Sequence, residues 1–337
     1  MKTEKKILNK ARSLGAVLSA SLLAGCMGAE SMILLPGSPL LGGLAAAAVL
    51  DGMDGGGMGY GGIPSVQTNP ALNRHPSFPD PELSGLQSRL IQQHAAFAGM
   101  AESQLSMAAS NGCVLDEETR WLLAYGMKPA DYYRLMASTM HQANLTVDAV
   151  ETVLVDGTCE NGKPEGAFTA VTRFTISTQI SNIHTTTTDR RRVSGTMRGG
   201  KLDGEMTSSN KMHSQSNMGT ALSVNNTYSV RTYRNGEPVG QEMAVAFVSG
   251  GSSSPMVTTT IVRHQAPNRF SVTSYTGDML TTESVSVDGQ LHGWMIVHPM
   301  EYVVGHRSPG SRECYQYGQK VPASACGVPI PAYQPRL

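Results

Sequence analysis

The chain lacks a surplus of positive charge: its 337 residues carry 26 Lys plus Arg against 26 Asp plus Glu. Without a basic excess it has no global means of neutralising a phosphate backbone, which sets nucleic acid aside as a partner. Aromatic residues are few, at 6%, whereas Gly (36) and Pro (18) are raised. That balance suits turns, thin sheets and linkers better than a large compact enzyme. Signatures of chemistry are missing too. There is no G-x-S-x-G elbow, no H-E-x-x-H, no Gly-rich phosphate loop followed by Lys-Ser/Thr and no EF-hand spacing. Neither C-x-x-C nor a paired Cys/His spacing occurs. The expectation is a chain that is not an enzyme and holds no metal. An apolar fraction of 40% with 15% charged residues still allows a core and argues against wholesale disorder.

What is present begins with an address. Lys2, Lys5, Lys6 and Lys10 precede an apolar stretch from Leu14 to Leu23, the pattern of a signal peptide over residues 1–25. It runs into Leu23-Ala24-Gly25-Cys26. This LAGC tetrapeptide resembles the lipobox of bacterial lipoproteins. The resemblance implies that Leu23, Ala24 and Gly25 are read by a dedicated signal peptidase, and that Cys26 becomes the acylated first residue, carrying a covalent diacylglycerol and an N-acyl chain. Three chains, at about 0.8 kcal/mol per buried CH₂, would hold the protein on a membrane without a spanning helix. Met27 rather than Asp follows the cysteine, which by the family's sorting habit implies the outer membrane, with the periplasmic face favoured over the cell surface. Removing the leader takes away Lys2, Lys5, Lys6, Lys10 and Arg12 together with Glu4, leaving 21 basic and 25 acidic side chains. The mature surface is mildly acidic, so membrane attachment is expected to rest on the acyl chains.

With Cys26 assigned to lipid, Cys113, Cys159, Cys314 and Cys326 remain, an even number fitted to an oxidising compartment. Three pairings are open. Nearest neighbours in sequence, Cys113 with Cys159 and Cys314 with Cys326, are the expected one, each bridge lowering unfolded-state entropy by about 3–4 kcal/mol.

After the cysteine comes SMILLPGSPLLGGLAAAAVL, residues 31–50, uncharged and nearly long enough to span a bilayer. Pro36, Pro39, Gly37, Gly42 and Gly43 interrupt it, so it reads as an apolar tether near the membrane surface. A Gly-rich spacer over 51–81 follows; about 30 such residues let the folded part sit roughly 30 Å from its anchor. Residues 82–150 read as a helical domain. Leu83, Leu86, Leu90, His94, Phe97, Ala101, Leu105 and Ala108 recur by threes and fours, a seam that also offers oligomerisation. A second helix opens after Asp116 and ends at Gly126, and a third begins at Pro129.

Past Val150 the period becomes two: Phe174, Ile176, Thr178 and Ile180 alternate with Thr175, Ser177 and Gln179, and Leu222 to Val230 repeats the pattern. Half-buried antiparallel strands are expected over 151–312, one face packed and the other wet, and a Cys-closed tail over 313–337. Four turns share (N/G/D)-G-x-x-x-G: Asn161-Gly162 to Gly166, Gly199-Gly200 to Gly204, Asn235-Gly236 to Gly240 and Asp288-Gly289 to Gly293. The dipeptides suit type I′ hairpins, and the second Gly falls where a strand restarts at a bulge or close approach. The pattern resembles MORN repeats, which implies an elongated single-layer sheet of hairpins. Its turns are 38, 36 and 53 residues apart, wider than the family's spacing, and the family's aromatic before the turn is missing. The fold class expected is α+β, short helices followed by an antiparallel hairpin meander.

Two clusters remain as candidates for chemistry. His292, His298 and His306 lie near Asp288 and Glu301, but His292 and His298 on one strand would be roughly 20 Å apart at about 3.3 Å per residue. Arg190, Arg191 and Arg192 form the densest basic run and could contact an anionic partner; the plainer reading is a solvated turn before the next strand. Together these features point to an outer-membrane-anchored lipoprotein that acts as a non-catalytic binding or assembly module with an envelope protein partner. A surface-displayed adhesion or ligand-binding lipoprotein is the alternative, and an envelope hydrolase the next.

Overall fold

The computed structural model describes residues 69–74, 78, 80–98, 113–126, 144–180, 183–217, 221–249, 256–266, 268–288, 290–303 and 306–327. The leader, Cys26, the tether, most of the spacer and the expected third helix lie outside the described residues. A short 3-10 turn at Pro70–Asn73 leads to helix α1 (Pro81–Ala98) and then α2 (Glu117–Tyr125). The seam residues beyond Ala98, namely Ala101, Leu105 and Ala108, also lie outside the described residues.

The rest is one antiparallel meander. Its long strands are β1 (Asn144–Glu160), β2 (Lys163–Ile180), β3 (Ile183–Arg198), β5 (Gly204–Ser216), β6 (Ala221–Arg234), β7 (Glu237–Ser249) and β8 (Met256–Ala266). Shorter strands continue it: β9 (Arg269–Thr276), β10 (Met279–Val287), β12 (Gly293–Val297), β15 (Ser311–Gln316) and β16 (Gln319–Val321). These twelve follow one another across the sheet in chain order, with β4 (Lys201–Leu202) beside β3 and β11 (Gln290–Leu291) beside β10. A separate hairpin joins β13 (Met300–Val303) to β14 (His306–Ser308). Each strand of the meander pairs with its sequence neighbour, so the sheet forms from local hairpins and leaves β1 as a long edge.

The repeated turn works as its residues require. Asn161 and Gly162 have φ of 50° and 76°, Gly199 and Gly200 55° and 72°, and Asn235 and Gly236 54° and 85°, the left-handed pair of a type I′ turn. Asp288 takes 53°. A fifth such pair, Tyr317-Gly318 at 48° and 77°, carries no dipeptide signal. The second glycine is left-handed in all four repeats, with φ of 75° at Gly166, 91° at Gly204, 69° at Gly240 and 98° at Gly293. It opens a bulge. In the first hairpin Thr158 pairs with Glu165 and Asp156 with Thr169, so Gly157 alone faces Gly166 to Phe168. The third hairpin repeats this: Thr232 pairs with Val239 and Val230 with Met243, and Arg231 alone faces Gly240 to Glu242. A residue four places before the turn thus opposes one two places after the bulge glycine. Gly157 stands under Phe168, where a Cβ would lie 2.7 Å from the Ala167 carbonyl oxygen; Gly195 in the second hairpin stands under Met206.

Several expectations need correction. The two described helices do not make a domain of their own: neither has enough apolar surface, and each lays its stripe on the sheet. Leu83 and Leu90 of α1 pack with Tyr228, Val230, Met243, Val245 and Ile261. Leu123 of α2, with Leu115, packs with Leu154, Phe168, Ala170, Val193 and Tyr233. Ladder parity puts these two sets on opposite faces, because Tyr228 shares a row with Ser209 and Arg192, whereas Val193 shares one with Ser208 and Ser229. Face A, under α2, and face B, under α1, are therefore both packed, and a sheet with one packed and one wet face does not hold for its centre. The sheet begins at Asn144, ahead of Val150, and β15 and β16 bring the C-terminal segment into it.

Both expected disulfides form. Cys113–Cys159 ties the entry of α2 to the end of β1, and Cys314–Cys326 closes the last hairpin, their Cα atoms 6.0 and 5.9 Å apart. Helix α2 is capped as its sequence requires: Asp116 accepts from the Thr119 amide at 2.6 Å and Gly126 closes it with φ of 74°.

The bulge predicts a contrast. Gly204→Ala, with φ of 91° and no atom within 4 Å of the new Cβ, should cost about 1–2 kcal/mol from left-handed strain alone. Gly157→Ala adds the carbonyl clash and should lower the urea midpoint further; equal losses would contradict the bulge assignment.

Candidate functional site

Face A carries a cluster of four buried charged side chains, Asp189, Arg191, Arg231 and Glu242. The third hairpin places charge where the first two place a glycine beneath an apolar side chain. Arg231 donates through Nε to Glu242 Oε2 at 2.7 Å and through a terminal nitrogen to Oε1 at 2.8 Å, a bidentate pair with both partners buried. Its other terminal nitrogen donates to the Tyr233 hydroxyl at 2.9 Å, and the guanidinium lies 5.7 Å from that ring's centroid. Burial opposes the charge on Arg231, but Glu242 and Tyr233 outweigh it and hold its pKa above the ordinary arginine value; burial raises that of Tyr233.

A second group sits beside it. Arg191 of β3 donates to Asp189 Oδ2 at 3.3 Å, and Asn210 of β5 donates to the same oxygen at 2.9 Å. Asp189 is fully buried, and that burial raises its pKa against the pull of Arg191 and Asn210. Arg191 also lies 5.8 Å from the Phe174 ring centroid. Thr172, Arg191, Asn210 and Thr227 occupy one cross-strand row. A cavity of about 10 Å³ separates the two arginines, lined also by Ser208, Ser229, Leu123 and Gly126. It is the size of one water, too small for a substrate.

The structure splits the Arg190-Arg191-Arg192 run. It lies in the middle of β3 rather than in a solvated turn, because the flanking residues alternate and pair with β2 and β5 throughout. Arg191 is 2% exposed on face A, whereas Arg190 and Arg192 belong to face B. The three cannot act together as one anion contact.

The histidine cluster disperses as well. His298 Nε2 lies 2.8 Å from Oε1 of buried Glu283. The His292 ring packs edge-on against Tyr317, centroids 4.7 Å apart. Asp288 accepts from Asn268 at 2.9 Å and Glu301 from Arg307 at 3.3 Å. The His306 side chain lies outside the described residues. His264, missed in the sequence, has its pKa pushed down to about 4 by burial and by Arg231.

On face B a groove of about 570 Å³ opens between α1 and strands β6 and β7. Leu86, Val230 and Val239 line it, and Arg89 and Glu205 bridge across at 2.9 Å. Sequence reasoning missed Arg231, Glu242, Asp189 and Asn210. The one signal was positional: Arg231 and Glu242 occupy, relative to their turn, the places of Gly157 and Phe168.

No family model, no characterised protein and no solved structure matches the chain.

Removing one member of a buried ion pair leaves the other uncompensated, so Arg231→Met should cost about 3–5 kcal/mol, while Arg231→Met with Glu242→Leu should recover most of it. Urea unfolding checks this; a double variant as weak as the single would refute a merely structural pair. The His264 ring takes a proton near pH 6.5 when unfolded but near pH 4 when folded. Protons in that window therefore favour the unfolded state. Stability should fall as pH drops from 6.5 towards 4, and less so in His264→Asn; equal slopes would contradict the burial of His264.

Proposed function

We propose that the chain is a bacterial envelope lipoprotein, held on the outer membrane by acyl chains on Cys26, whose sheet serves as a non-catalytic binding or assembly module. The observation that carries this reading is the cysteine pairing. Cys113, Cys159, Cys314 and Cys326 are used up in two bridges, which leaves Cys26, within LAGC, as the odd thiol. Disulfides persist in oxidising compartments such as the periplasm, and a lipobox cysteine belongs to the same route.

The non-catalytic part is supported by how the buried charges are used. Arg231 pairs bidentately with Glu242, Arg191 pairs with Asp189, and the His298 ring hydrogen-bonds with Glu283. A hairpin meander with paired interior charges is more often a scaffold or binding surface than a catalyst. The left-handed turns and bulge glycines accord with the MORN likeness at the turn. The partner in this reading is a component of the envelope, reached across the Gly-rich spacer.

Growth of an expressing bacterium with labelled palmitate tests the anchor. The parent chain should incorporate label and sediment with outer membranes; Cys26→Ser should lose the label and leave the membrane fraction. Label retained by Cys26→Ser would refute the proposal.

A further inference from the structure

The groove on face B has one bank of helix and one of sheet. Glu82, Gly85, Leu86 and Arg89 recur along α1 by threes and fours, so they form one flank of the helix and line the groove together. Opposite them stand Glu205 of β5, Thr232 of β6 and Val239 of β7, which share one cross-strand row. Buried Val230 and half-buried Leu86 continue the apolar core out to the groove.

The glycines of the two banks are informative. Gly85 lies within α1, where glycine destabilises a helix relative to alanine. A Cβ built there would meet no atom within 4 Å, so no neighbour requires its absence. What the missing side chain leaves clear is the groove itself. Gly240 on the sheet bank is equally clear to 4 Å. There the bulge of the third hairpin interrupts the ladder between β6 and β7 from Val239 to Met243, so the backbone is not fully committed to its neighbouring strand. Glycines facing open space on both banks admit another main chain at close range.

Charge and size narrow the occupant. Among the described residues no aromatic ring lines the groove, which leaves nothing on which a nucleobase could stack. Two carboxylates, Glu82 and Glu205, face one guanidinium, Arg89, so the excess is negative and favours a cation over a phosphate. The Arg89–Glu205 side chains are 46% and 44% exposed, and a pair so exposed contributes little and opens readily. Thr232 and Gln241 add a hydroxyl and an amide, groups that both donate to and accept from a peptide backbone. The volume of about 570 Å³ falls within the roughly 300–1,000 Å³ of ligand clefts, room for a short segment rather than a domain.

We propose that this groove binds an extended peptide segment in which basic and apolar side chains alternate. Successive side chains of an extended chain point to opposite sides, so the basic ones reach Glu82 and Glu205 while the apolar ones lie on Leu86, Val230 and Val239. Glu205 exchanges Arg89 for the incoming cation. The proposal rests on the binding-module reading given above, to which it adds a site and the charge of the partner, and it is independent of the lipid anchor.

The test uses the full chain with Cys26→Ser and a fluorescent hexapeptide of alternating Val and Lys, blocked at both ends, followed by anisotropy. Its counterpart alternates Val and Glu. The Lys peptide should bind saturably and about tenfold more tightly than the Glu peptide. Glu82→Gln and Glu205→Gln should each weaken it, by up to about fivefold. Arg89→Gln should tighten it, a gain that unfolding would not produce. Gly85→Leu should abolish binding with a urea midpoint equal to or above the parent's, because leucine suits a helix better than glycine. Saturable binding of neither peptide, equal binding of both, or a Gly85→Leu variant that binds like the parent would each overturn the proposal. So would a concentration-dependent dimer that Gly85→Leu abolishes, which would give the groove to a second copy. Palmitate enters none of these measurements, so the anchor holds or fails separately.

Discussion

Three of the repeated hairpins join their two strands through a pair of left-handed turn residues; in all four a left-handed glycine follows where the strand restarts, and the register of those hairpins is set by that device. The turn fixes which residues face each other, and the bulge then sets three residues against one. A slip by one residue would send every side chain to the other face. Because both faces of the central strands carry a helix or a buried cluster, such a slip would expose one core and bury the charges of the other side. The repeated glycines therefore act on register as much as on local conformation.

Register also explains how a chain with balanced charge arranges two unlike surfaces. On face A, cations and anions are drawn inward and pair with one another, as Arg231 with Glu242 and Arg191 with Asp189 do. Breaking such a pair costs far more than its presence contributes, so the pairs penalise wrong registers more than they stabilise the right one. On face B the cations Arg173, Arg190 and Lys211 of β2, β3 and β5 share one cross-strand row instead. The bridge from Cys113 to Cys159 and the hydrogen bond from the Asp116 amide to the Gly162 carbonyl, 2.9 Å, fasten α2 to the first hairpin. One end of the sheet is thereby fixed covalently.

Much of this was legible in the sequence where the cause is local. The alternation around Phe174 and Val224, the Asn-Gly and Gly-Gly turns, the second glycine at a bulge, the limits of α2 and both disulfides depend on residues close in the chain or on simple pairing. What escaped depends on the third dimension. Arg190, Arg191 and Arg192 read as a solvated run because three charges in succession seldom occupy a strand; only the neighbouring strands show that Asp189 and Asn210 wait for the middle one. Arg173 and Lys211 are 17 and 21 residues from Arg190 in sequence and join it solely through pairing. The burial of both faces, with helices on opposite sides, likewise has no signature in hydrophobic period. Tyr317-Gly318 formed a turn without a favoured dipeptide because the Cys314–Cys326 bridge and the bond from Trp294 Nε1 to the Gly327 carbonyl, 3.0 Å, close the same segment.

The central claim is that strand register sorts the basic side chains into a sealed set and a presented set. Arginine modification of the native protein by phenylglyoxal, mapped by mass spectrometry, tests this most directly, since three consecutive residues serve as one another's controls. The account predicts that Arg190 and Arg192 react along with Arg173, while Arg191 and Arg231 stay protected until the chain is unfolded. Reaction of Arg191 at the rate of its two neighbours would contradict it.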